Sequence, residues 1–137
     1  MGLILGLQAA ASPQKTIVGA LLIVALADNL SDSLSVHVYQ ESERLDGREA
    51  FVSTVANFAV RLLVAMTFVF LVVALPGEFL PWAAAGWGML LLAWLTHRIA
   101  LARGAPVGKE IAKHFVIAVV VLAVSRALGT WIAGALA

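Results

Sequence analysis

Apolar runs dominate the chain, broken by only a few short polar segments. Four runs are long enough to cross a bilayer: residues about 16–38, 50–75, 82–101 and 111–134. Each holds roughly 20 residues or more, the length a hydrocarbon core about 30 Å thick demands. The runs are continuously apolar rather than alternating, which predicts helices and argues against a barrel. The expected fold is all-α, a polytopic membrane helix bundle of about four transmembrane helices. Residues 1–15 form an apolar lead-in, too short to span and without the basic start of a secretory signal. Pro13 separates it from the first long run, so it is expected to be interfacial or re-entrant. Residues 16–137 are then the transmembrane domain.

Composition agrees with this pattern. Of the 137 residues, 62% are hydrophobic and 12% charged, against about 25% charged in a soluble domain. So few polar residues do not cover a core of this size, and lipid has to cover the rest. The net charge of +1 leaves no basic stripe for phosphates, so nucleic acid is not an expected partner. With no cysteine there is no disulfide, thiolate metal site or cysteine nucleophile. No hydrolase signature or P-loop is present, so no enzyme activity is expected.

Charge sets the expected topology. The segment 40–49 carries Arg44 and Arg48, and the segment 96–114 carries Arg98, Arg103, Lys109 and Lys113. The segment 76–81 has neither Lys nor Arg. The positive-inside rule places the first two in the cytoplasm and both termini outside, with Lys15 a mild exception. Trp82 and Trp131 fall near the outer interface, where indoles are favoured. A bacterial or archaeal inner membrane is the expected setting. Small residues at Gly86 and Gly88, and at Ala123, Ala127, Gly129 and Ala133, predict close helix packing.

The first span carries the chemistry. Asp28, Ser31, Asp32 and Ser35 are spaced i, i+3, i+4, i+7 and line one helical face. Asp28 lies about 18 Å from Thr16 by helical rise, near the midplane, and Asp32 about 6 Å further on. Carboxylates at that depth cost several kcal/mol unless solvated, paired, protonated or metal-bound. Such a face is expected to look at another helix or a wet cavity. His37 and Glu41, an i, i+4 pair, either extend it toward the cytoplasmic mouth or, equally, sit at the interface facing headgroups and water. Carboxylates with an imidazole suit a divalent first-row ion such as Fe²⁺ or Mn²⁺. The candidate metal residues are thus Asp28, Asp32, Ser31, Ser35, His37 and Glu41. His97 and His114, beside basic residues, are expected to be interfacial.

A structural alternative stands beside this one. Arg61 lies mid-span in the second run and Arg126 within the fourth. These two bases could neutralise the two acids as internal ion pairs, giving a scaffold or accessory subunit that transports nothing. Arg61 and Arg126 are therefore candidate structural or gating charges. A third reading takes Asp28 and Asp32 as the carboxylate pair of an intramembrane enzyme, but no other feature supports a substrate.

The first span and its exit resemble the vacuolar iron transporter family of Fe²⁺/Mn²⁺ transporters. The family's second helix reads approximately Ala-Asp-Gly-x-Ser-Met and continues to a Ser-x-x-Glu exit. Set without gaps, this chain has Ala27, Asp28, Asn29, Leu30, Ser31 and Asp32, then 40–43 at the exit. The later spans look like the family's last three helices, so the likeness runs from about Ile17 onward. The resemblance implies a homodimer with a metal path between subunits, exchanging ions against protons, and no permanently bound cofactor. A carboxylate that alternately holds a proton and a metal ion would couple the two movements. Three departures stand out. The family's first helix is missing unless 1–15 replace it. Its metal-binding methionine falls on Asp32, a hard carboxylate in place of a soft thioether. Its long glutamate-rich domain shrinks to 41–49, where Glu41, Glu43, Asp46 and Glu49 read as a solvated loop rather than a metal store.

Overall fold

The computed structural model describes residues 1–43 and 46–135. Arg44, one of the two arginines of the first basic segment, lies outside the described residues. All regular structure among the described residues is helical: α1 (Gly2–Ala9), α2 (Gln14–Ile23), a π-helical turn (Val24–Asp28), α3 (Asn29–Ser42), α4 (Gly47–Ala74), α5 (Leu80–Arg103) and α6 (Val107–Ala135). The turn joins α2 and α3 into one rod, Gln14–Ser42. Among the described residues, four helices are long and apolar enough to cross a membrane: this rod, α4, α5 and α6. They contain the predicted spans, save that α4 stops at Ala74, one residue short of the predicted end, and they run past them at the polar ends. Those ends keep their backbone hydrogen bonds for another turn, and a charge there still meets water.

The punctuation is local chemistry. Pro13, Pro76 and Pro106 stand at the breaks, and Pro81 sits in the first turn of α5, where its missing N–H breaks no bond. α5 ends at Gly104, whose φ of 62° is the left-handed conformation glycine adopts freely. Its N–H bonds to the Leu101 carbonyl, and the Ala105 N–H reaches back to Ala100. α1 ends the same way, with Ser12 N–H on Leu7 and Ala11 N–H on Gln8. There, however, the left-handed residue is Ala11, at φ 54°.

The chain forms two compact units. The first holds Met1–Ile17 with Ala74–Ala137. In it α1 lies on α6 and α5, with Ile4 fully buried. Gly2 and Gly6, one turn apart, meet Ser125 and Gly129, also one turn apart. A Cβ added to Gly129 would overlap the Gly6 carbonyl oxygen and come within 2.8 Å of the Ala9 Cβ. Two backbones touch here because neither helix has side chains in the way, the small-xxx-small device of membrane helices. Gln8 Nε2 also donates to the Gly77 carbonyl at 2.7 Å, tying α1 to the turn before α5. The predicted lead-in is thus an eight-residue helix built into this unit.

The second unit, Val18–Val73, holds the rest of the rod and most of α4. Its buried stripe on the rod takes every fourth residue: Leu21, Ala25, Asn29 and Ser33. In a straight α-helix, every-fourth positions drift about 40° per step around the axis. The π turn at Val24–Asp28 holds one extra residue, which turns the succeeding helix back by about 100°. The stripe thereby stays on the side of α4, and α3 presents polar residues where α2 presents apolar ones.

Candidate functional site

The polar residues of α3 divide between two sides. One side is a ladder to α4. Asn29 Nδ2 donates to the Phe58 carbonyl at 2.9 Å, and Asn57 Nδ2 to Ser33 Oγ at 3.4 Å. Further along, His37 Nδ1 meets Thr54 Oγ1 at 3.3 Å, and Gln40 Nε2 donates to Ser53 Oγ at 2.9 Å. The numbers rise on α3 as they fall on α4, so the pair is an antiparallel hairpin. Asn29 and Ser33 are buried, and Asn29 Oδ1 is buried without a hydrogen-bond partner.

The other side is the face predicted from sequence. Asp28, Ser31, Asp32 and Ser35 are all exposed on the single chain. Asp28 is the last residue of the π turn and has no ion-pair or hydrogen-bond partner among the described residues. Such wide turns recur at functional sites. Ser35 Oγ donates to the Ser31 carbonyl at 3.0 Å, which leaves its lone pairs free to accept. Asp32 Oδ2 is bound by Arg61 Nη1 at 2.6 Å, with both side chains close to half exposed. Of the two acids expected at depth, one is therefore neutralised by the base of α4 and the other is not.

His37 links the two sides. Thr54 Oγ1 lies 2.8 Å from the Ala50 carbonyl, to which it donates, and 3.3 Å from His37 Nδ1. His37 Nε2 then faces Glu41 Oε1 at 3.4 Å, and the Phe51 ring stands edge-on to the imidazole at 6.5 Å. A nitrogen lone pair and a carboxylate oxygen attract only with something positive between them, a proton or a metal ion. Two ligands about 2.1 Å from one ion at a tetrahedral angle stand about 3.4 Å apart, so the spacing fits both.

Among the described residues no cluster of three or more His, Cys, Asp and Glu comes together to hold a metal. The chain offers a lone carboxylate, a carboxylate on an arginine and a His–Glu pair. Arg126 sits in the other unit, beside a cavity between α1, the turn before α5, and α6. It has no ion-pair partner among the described residues. His114 donates from Nδ1 to the Glu110 carbonyl at 2.7 Å, and Lys113 pairs with Glu110 at 2.7 Å, as residues of a wet helix start do.

Reasoning from sequence misses the ladder, although a signal for it exists. Ser53 and Asn57, one turn apart in a mostly apolar helix, are the partners of Gln40 and Ser33 and carry that signal. Compared with known proteins, the chain matches no family model, no curated protein and no solved structure.

Proposed function

We propose that this protein moves divalent metal ions of the Fe²⁺/Mn²⁺ class across a membrane, along the exposed acidic face of α3. One observation carries the reading. The chain commits Asn29, Ser33 and Gln40 to α4, leaves Asp28 without a partner and gives Ser35 only a bond within its own helix, in a rod apolar enough to span. Lipid is a poor neighbour for that face. A second copy of the chain would cover it, and facing Asp28 carboxylates would supply the oxygen ligands that one chain lacks. The working form is then a homodimer, with His37 and Glu41 as a relay at the mouth. Both termini lie outside in a bacterial or archaeal inner membrane.

In this reading Arg61 is a tethered competitor. A cation reaches Asp32 only by displacing the guanidinium, so Arg61 sets how tightly the path holds its cargo. The ion pair also favours a second reading, a non-transporting scaffold held by Asp32 and Arg61. Calorimetric titration of the purified protein with Mn²⁺ separates them. Transport chemistry predicts saturable binding, lost in Asp28→Asn and tightened about tenfold in Arg61→Gln, where one charge-assisted contact no longer competes. A folded wild type that binds no Mn²⁺, together with an Arg61→Gln variant that only loses stability, would leave the scaffold.

A further inference from the structure

The first unit contains a cavity of about 400 Å³ with a different chemistry. Its polar lining is Gln8 from α1, Glu78 from the turn before α5, and Arg126 and Thr130 from α6. Glu78 and Arg126 are opposite charges on one cavity, yet they form no ion pair with each other and have no other partner among the described residues. Gln8 is held by the bond from Nε2 to the Gly77 carbonyl, and its Oε1 is buried without a hydrogen-bond partner. A buried acceptor with no donor is costly, and such groups are normally satisfied. The cavity offers a cation to an anion, and a carboxylate to a cationic donor.

Two exposed indoles give its depth. Trp82 comes directly after the lining residue Pro81, and Trp131 directly after Thr130; they are 76% and 68% exposed. Exposed tryptophans at helix ends sit at the headgroup level of a bilayer. Arg126 lies further in along α6, from where a long side chain reaches toward that level.

We infer that this cavity binds the headgroup of a zwitterionic lipid with a primary ammonium, phosphatidylethanolamine in class. The phosphate meets Arg126. The ammonium, with three N–H donors, meets the Glu78 carboxylate. A trimethylammonium has no N–H to give, so choline lipids make no hydrogen bond to the Glu78 carboxylate. Phosphatidylglycerol satisfies Arg126 but offers Glu78 no positive charge. The inference rests on the membrane-spanning reading of the helices and not on metal transport.

The test is native mass spectrometry of the full chain in detergent, titrated with dioleoyl phosphatidylethanolamine, phosphatidylcholine and phosphatidylglycerol. The ethanolamine lipid should bind about tenfold more tightly than either of the others, the contribution of one charge-assisted hydrogen bond. Glu78→Gln, an exposed turn position, should erase the preference over phosphatidylglycerol. Arg126→Gln should remove ethanolamine-lipid binding, and Arg126→Lys should keep most of it. Equal binding of the three lipids, or a preference unchanged in Glu78→Gln and Arg126→Gln, would overturn the site. Soluble glycerophosphoethanolamine binding as tightly as the lipid would overturn the lipid as its source. No readout involves a metal, so failure here and failure of Mn²⁺ binding are separate results.

Discussion

The two units hold helices together by opposite means. In the first, α1 meets α6 through Gly2, Gly6, Ser125 and Gly129, and the contact is backbone on backbone. In the second, α3 meets α4 through Asn29, Ser33, His37 and Gln40, and the contact is a row of side-chain hydrogen bonds. Lipid tails are as apolar as leucine, so burial of apolar surface does little to drive helices together in a bilayer. Close packing and polar contacts remain, and each unit of this chain relies on one of them. The difference also separates structure from chemistry. A glycine contact carries no ionisable group, whereas the polar hairpin carries Asp28, Asp32 and Arg61.

The largest effect expected from breaking this division falls on the ion pair. Arg61→Ala strands the Asp32 carboxylate and should cost about 3 kcal/mol of stability, the scale for an unpaired charge within a membrane helix. Asp32→Ala in that background should restore most of it. A double-mutant cycle by steric-trap unfolding in bicelles measures the coupling; a coupling near zero would mean the two charges stand independently. Next comes the glycine contact. Gly129→Leu has no room beside the Gly6 carbonyl, so α1 should be pushed away at a cost of about 2 kcal/mol. Protease access at residues 9–13 reports this directly, and an unchanged cleavage rate would show that α1 is not held there.

Smaller effects sharpen the same contrast. Asn29→Leu removes one rung of the ladder together with its unsatisfied Oδ1, and should cost only about 0.6 kcal/mol, an ordinary value for a hydrogen bond between membrane helices. A loss as large as that of Gly129→Leu would show the ladder to be cooperative. The smallest change has the opposite sign. Ala11→Gly relieves a left-handed alanine at the end of α1 and should stabilise the fold by about 0.5 kcal/mol, read as a small rise in Tm.

Much of this is legible in the amino-acid order. The four spans, their breaks at Pro76 and near Pro106, and the placing of Asp28, Ser31, Asp32 and Ser35 on one face come from hydropathy and helical period. These are local properties, since each depends on residues within a turn or two of each other. Three features depended on tertiary structure. The π turn at Val24–Asp28 has no sequence signature, because one extra residue per turn is tolerated only where a neighbouring helix fits the new phase. Asp32 rather than Asp28 binds Arg61, a choice made by the side-chain geometry of the α3–α4 hairpin and not by depth in the bilayer. The lead-in is a helix fixed on α6 because Gly2 and Gly6 meet Ser125 and Gly129, residues more than a hundred positions away. Hydropathy along the chain determines which segments leave water. Which polar groups then find each other is decided across helices, at distances of one hydrogen bond.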